Sequence, residues 1–197
     1  MTNKRIINEA IRIVKGSDYR RIAIFNGSSF HELPYDTIER LRNLAKGRIF
    51  EIESRSEFIT LNSIRTLLDY YKPKNLIIRI GFQVYDERIR ERLLVKGMLN
   101  SELHRIYRLR SKIKELKLPV EFWTYVLFGI EYIPEEKVIE SVKMFKKLFD
   151  GVIAIKYKKY LPNHPKETYI SESLAKFLEE NTDLADWGSE QWIIEGT

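Results

Sequence analysis

Residues Glu53 to Thr60 read E-S-R-S-E-F-I-T, and Ile80 to Gly97 read I-G-F-Q-V-Y-D-E-R-I-R-E-R-L-L-V-K-G. Each follows an apolar run of strand length, Arg48 to Glu53 in the first case and Leu76 to Ile80 in the second. Each then leads through polar residues into a helical pattern, with Thr60 as the N-cap before Leu61. An earlier stretch, Asn26 to Pro34 (N-G-S-S-F-H-E-L-P), has the same design. It closes the short strand Ile22 to Phe25, and Pro34 opens a helix over Tyr35 to Ala45. Strand, polar turn and helix, repeated in order, argue for an α/β fold with a mainly parallel sheet.

The rest of the chain continues the alternation. Ile7, Ala10, Ile11 and Val14 recur at helical spacing, with Gly16 as a stop. Leu61 to Tyr71 is a helix ended near Pro73. Asp86 to Leu94 and Ser101 to Leu116 form a helical pair broken at Gly97. Val120 to Phe128 and Gly151 to Tyr157 read as strands, and Glu135 to Leu148 and Ser171 to Glu180 as helices. About five strands with flanking helices imply a partial (β/α) TIM-type barrel, one domain over residues 1–197 with an acidic tail from about 181.

At 197 residues and 44% apolar content the chain can bury one sizeable core. No apolar run is long enough to span a bilayer and no secretory leader is evident, so a cytoplasmic protein without membrane association is expected. Abundant Lys, Glu, Arg and Ile suit a thermophile. The cysteine count is zero, which excludes disulfides and cysteine-held metals. His31, His104 and His164 share no metal-ligand spacing with carboxylates, so no metal site is expected. No phosphate-binding glycine loop, nucleophile elbow or zinc-protease motif occurs, and no residue stands out as catalytic.

The net charge of +6 is unevenly placed. Arg88 to Lys117 holds ten bases against three acids, whereas Glu167 to the end holds one base against eight acids. Arg105, Arg108 and Lys112 share one helical face, and Lys158 and Lys159 lie between Tyr157 and Tyr160. Bases neutralise phosphates and aromatics stack unpaired bases, so these five cations are the expected RNA contacts. The Trp192-Ile193-Ile194 run in the tail would not stay solvated, which points to docking on the fold or on a second copy.

From about Ile22 to Tyr157 the chain resembles the barrel domain of radical S-adenosylmethionine (SAM) enzymes, in particular the elongator-catalytic-subunit and archaeal tRNA-modification branch. Asn26-Gly27-Ser28-Ser29-Phe30 is similar to the family's second-strand S-G-S-F, Glu53-Ser54-Arg55 to its third-strand E-S-R, and Gly81-Phe82-Gln83 to its fourth-strand G-V-Q. Tyr125 to Gly129, then Pro134-Glu135-Glu136, match its Y-x-L-x-G and P-x-E-E. The resemblance implies that Gly27, Ser28, Ser29, Glu53, Arg55 and Gln83 hold SAM. Val84 stands where the family usually has Ser, and Val95-Lys96-Gly97 has lost the Asn of N-K-G.

The family also holds an iron–sulfur cluster on three cysteines, in a loop that would precede residue 1. With no cysteine, the isolated chain is expected to carry no cofactor other than SAM and to perform no radical chemistry alone. The function implied is a cluster-less barrel that binds RNA of tRNA type, a nucleoside ligand or a partner enzyme. An alternative is one subunit of a split tRNA-modifying enzyme whose cysteine-bearing partner supplies the cluster. A SAM- or nucleotide-sugar-dependent transferase rests on α/β architecture alone. Unpaired sheet edges also favour a homo-oligomer or a partner subunit.

Overall fold

The computed structural model describes residues 3–15, 18–27 and 29–188; Gly16, Ser28 and the Trp192-Ile193-Ile194 run lie outside them. Strands β1 (Arg21–Ile24), β2 (Ile49–Glu53), β3 (Asn75–Gln83), β4 (Val120–Phe128), β5 (Gly151–Lys156) and β6 (Leu184–Asp186) make one six-stranded sheet in sequential order. The pairs β1–β2, β2–β3 and β5–β6 are parallel. Helices α1 (Asn3–Lys15), α2 (Tyr35–Ala45), α3 (Leu61–Tyr71), α4 (Asn100–Glu115), α5 (Glu135–Leu148) and α6 (Glu172–Asn181) precede or connect the strands. Sequential parallel strands joined through helices are the topology of a partial (β/α) barrel, as the alternating pattern implied.

A sixth strand, beyond the five expected, lies within the acidic segment from about 181. Leu184, Ala185 and Asp186 lie opposite Ile153, Ala154 and Ile155. Asp183 clasps the start of this pairing: its N–H donates to Val152 O at 2.9 Å, and its carboxylate accepts from Val152 N at 2.8 Å. Three residues carrying an acid have no strand signature of their own; the free edge of β5 makes them one.

By contact density the chain forms two compact units, residues up to 81 with 100–123, and 82–99 with those from 124. In the first unit, the alternation of β2 puts Phe50 and Ile52 on one face, both fully buried. Phe50 packs on Tyr71 of α3 (ring centroids 4.8 Å apart) and on Phe30 (5.7 Å). Tyr71 donates its hydroxyl to Ile38 O of α2 at 3.0 Å, and burial pushes that hydroxyl's pKa above its ordinary range. Helix α3 starts where the sequence placed it, because Thr60 and Ser63 form a reciprocal capping box. An apolar cavity of about 460 Å³ lies between α1, β1 and α2, lined by Ile11, Val14, Ile22 and Leu41 among others.

The opposite face of β2 carries Glu51, only 1% exposed. Its carboxylate takes Arg21 of β1 (2.5 Å) on one side and Arg79 of β3 on the other. Each guanidinium also lies over an aromatic ring: Arg79 over Phe25 at 4.5 Å and Arg21 over Trp123 at 5.5 Å. A carboxylate buried without partners would cost several kcal/mol, and two guanidinium groups plus neighbouring rings offset that cost.

In the second unit Phe82, Phe145 and Phe149 form the aromatic core, with centroids 5.6 to 6.3 Å apart. The helix read over Asp86 to Leu94 is instead π-helical from Ile89 to Leu93, closed by Leu94 N donating to Ile89 O at 3.0 Å. The cause is Arg90, one of the ten bases between Arg88 and Lys117. It is fully buried, and donates to Met98 O, to Val84 O (2.8 Å) and to Tyr85 O (3.1 Å). Turning this side chain inward fixes the backbone on both sides of it, and the wider π turn accommodates that.

The clamp in the first unit generates a direct expectation. Glu51→Ala leaves Arg79 nearly buried without its carboxylate, so urea unfolding should show a loss of about 3 to 5 kcal/mol. A loss below about 1 kcal/mol, the value of an exposed ion pair, would mean that the clamp does not hold the strands.

Candidate functional site

The carboxyl ends of β1 and β2 bring together residues far apart in sequence. After β1 the chain turns at Gly27, whose φ of 74° suits glycine, and Asn26 Nδ2 donates to Ser29 O at 2.9 Å. A 3-10 turn over Phe30–Glu32 follows. After β2, Ser54 is held by its N–H on Arg79 O, and a second 3-10 turn covers Ser56–Phe58. Neither turn has a hydrophobic period, and the sequence reading contained neither.

Ser29 and Ser54 are buried, and their hydroxyl oxygens stand 3.2 Å apart. His31 Nδ1 lies 3.0 Å from Ser54 Oγ, which also donates to Arg55 O at 3.1 Å. Ser54 has one hydroxyl hydrogen. With that hydrogen on Arg55 O, the Ser54 oxygen accepts from His31 Nδ1–H, and the lone pair of His31 is left on Nε2. Nε2 is buried and has no hydrogen-bond partner, the one such side-chain atom among the described residues. Phe58 stacks on the imidazole at 5.6 Å, and Phe30 meets it edge-on at 6.1 Å. Burial lowers the His31 pKa, so the ring is neutral at pH 7.

Two residues expected to act on ligands, Arg55 and Arg105, have protein neighbours. Strand β2 ends at Glu53, so strand alternation does not extend to Arg55. Beyond it Arg55, 59% exposed, pairs with Glu57 at 2.5 Å. Arg105, expected to contact phosphate, donates to Ile59 O at 2.8 Å and to Ser56 O, and pairs with Glu102 at 2.9 Å. Its guanidinium therefore ties α4 to the turn that carries Phe58 over His31. The Glu102 carboxyl is held below its usual range first by the hydrogen bond from Arg105.

Arg108 is exposed, and Lys112 makes a surface pair with Glu115 at 3.0 Å. Lys158 and Lys159 follow β5 and are exposed. Gln83 belongs to the second unit and ends β3. Its φ is 66°, and Val84 N donates across it to Phe82 O at 2.8 Å. That pairing is a γ-turn of the rare, strained hand, and strain of this kind in a side-chain-bearing residue costs roughly 1 to 3 kcal/mol.

No protein-family model and no curated protein sequence matches the chain. Among solved structures it is similar to queuine lyase from Clostridium spiroforme bound to SAM and queuine. The TM-score is 0.67 at 21% identity, over 94% of this chain and 77% of that chain. The likeness is one of fold. It agrees with the partial (β/α) barrel that the alternating strands and helices imply. An iron–sulfur cluster does not fit this chain, which has no cysteine. Among the described residues no group of three His, Asp or Glu could hold a metal ion, and no helix is long and apolar enough to cross a membrane.

Two expectations follow. Because the folded pKa of His31 lies below its unfolded value near 6.5, the unfolded chain binds more protons as pH falls through that range. Stability should therefore decline from pH 7 toward 5, and His31→Gln should flatten the decline in urea midpoints; an unchanged slope would remove His31 from the titration. At residue 83, Gln83→Gly should be more stable than Gln83→Ala by about 1 kcal/mol, the reverse of their order at ordinary positions. Thermal melts of the two variants in parallel decide it, and an Ala variant as stable as the Gly one would show no strain there.

Proposed function

We propose that this chain is a cluster-free protein of the radical SAM barrel type that binds SAM, or a nucleoside of similar shape, without cleaving it. The observation that carries the reading is the polar cluster of Ser29, His31 and Ser54 at the ends of β1 and β2, with its buried, unpartnered Nε2. A buried acceptor that lacks a donor is costly, and a ligand N–H or O–H would satisfy it. Ligands of α/β sheets gather at the carboxyl ends of strands, where this cluster lies. The structurally similar lyase binds SAM, which supports the choice of ligand. Gly27, Glu53 and Arg55 lie within two residues of the cluster's members in sequence, and Gln83 carries strain of the sort found at functional positions.

SAM would supply a sulfonium and an adenosyl group. This chain's part is to bind and orient it: Ser29 and Ser54 fix the imidazole, Phe58 covers its face, and Nε2 accepts the ligand's hydrogen. Reductive cleavage needs a thiolate-held cluster, for which the chain has no ligand of its own. A cysteine-bearing companion subunit would change that. The position of β1 at the end of the sheet, paired with β2 alone among the described strands, favours that arrangement as the alternative.

A second reading, RNA as the larger partner, is supported by exposed cations. Arg108, Lys158 and Lys159 make no ion pair among the described residues, whereas Arg105 is committed to its own loop. The two readings are compatible, since a nucleoside site and a phosphate-binding surface can act on one polymer.

Calorimetric titration of the purified chain with SAM tests the first reading. Binding at micromolar affinity, weakened tenfold or more in Ser54→Ala with its circular dichroism unchanged, is the expected result. No heat from a folded sample would overturn it.

A further inference from the structure

Residues 157–170 follow β5 and contain no regular element, yet they are fastened along their length. Tyr157 N donates to Phe128 O at 2.8 Å, and its hydroxyl to Pro165 O at 3.1 Å. Lys159 N donates to the Glu167 carboxylate at 2.9 Å, and Lys166 N to the Glu131 carboxylate at 2.9 Å. Thr168 N donates to Gly129 O at 3.0 Å. Gly129 has a φ of 76°, and a Cβ there would stand 3.3 Å from Ile170 Cδ1, so the loop closes onto a position made for glycine.

This fastening leaves two large rings outside. Tyr160 is 77% exposed and Tyr169 83% exposed. They flank one clasp, Tyr160 following Lys159 and Tyr169 lying just past Glu167. Lys158, Lys159 and Lys166 are exposed and make no ion pair among the described residues. The carboxylates of Glu131 and Glu167 are turned to backbone amides instead. Tyr157, which the sequence reading counted with Tyr160, has its hydroxyl tied to Pro165 and is half-buried. The outward aromatic pair is thus Tyr160 with Tyr169, nine residues apart in sequence.

We infer that residues 157–169 are a docking surface for single-stranded nucleic acid, with Tyr160 and Tyr169 stacking on unpaired bases and Lys158, Lys159 and Lys166 neutralising phosphates. The chemistry separates this partner from a duplex, which offers phosphates but keeps its base faces stacked inside. Rings held on a fastened loop lose little freedom on stacking, so each contributes to affinity whatever base it meets. The inference gives the RNA reading a substrate class, unpaired bases, and uses none of the residues placed around His31.

Fluorescence anisotropy with a labelled 12-nucleotide oligouridine and a duplex RNA of the same length, on the full chain, tests it. The single strand should bind more tightly. Tyr160→Ala with Tyr169→Ala should weaken it by at least tenfold, while the corresponding Phe pair keeps most of the affinity and shows that the rings act by stacking. Lys158→Ala with Lys159→Ala should reduce the slope of log affinity against log salt by about 0.7 per lost phosphate contact. Equal binding of duplex and single strand, unmoved by the Tyr→Ala pair, would overturn the stacking surface yet leave general RNA binding intact. No binding of either RNA would overturn both, and SAM titration of the same variants reports separately on the His31 cluster.

Discussion

The first unit depends on a carboxylate that is out of the water. Glu51 sits at the middle of β2 with Arg21 of β1 and Arg79 of β3 closing on it from either side. Strand β1 has only four residues, and a row of backbone hydrogen bonds that short does not fix register firmly. The clamp does, because a slip by one residue would send Arg21 to the opposite face and leave Glu51 short of a cation. Register is set with Ala23 opposite Glu51, and Glu53 opposite Arg79. The turns after β1 and β2 then emerge side by side, and Ser29 and Ser54 can meet.

The scaffold was legible because its signals are local. Limits for α2, α3, β4 and α5 coincide with the hydrophobic periods and with Pro34, Thr60 and Pro134 at their starts. The three segments that suggested a barrel all fall at strand ends, as the fold requires. Glu51 was not legible: in Ile49-Phe50-Glu51-Ile52 it looks like one more outward polar residue of a half-solvated strand. Its burial depends on cations contributed 30 residues earlier and 28 later, which no window of periodicity can register.

The candidate site was legible in part, for the same reason. The sequence marks Ser29 through a motif, but shows Ser54 only as the middle of E-S-R and His31 only as a histidine with no metal-ligand spacing to carboxylates. What joins them is the parallel pairing of β1 with β2, a tertiary fact. Arg105 shows what helical spacing leaves unsaid. Helical spacing put it on a basic stripe with Arg108 and Lys112, yet spacing cannot say whether a guanidinium finds carbonyls within reach. Ile59 O and Ser56 O supply them, and a neutral acceptor held in a fixed turn competes well with water for a planar five-donor group. Basic residues on one face of a helix are thus not equivalent, and those nearest a polar turn are the first to be withdrawn from solvent.

Strain in the second unit fits the same logic of over-determination. Gln83 and Val95 both have positive φ, 66° and 49°, and Val95 is a β-branched residue 78% exposed to water. Neither conformation is chosen by its own side chain. Both bracket the segment that Arg90 organises, where one guanidinium holds Val84 O, Tyr85 O and Met98 O, and Glu91 accepts from Met98 N at 2.8 Å. Releasing either turn would strip acceptors from a buried cation, a larger cost than the strain itself. The segment after β3 therefore keeps its shape whichever residues occupy 83 and 95.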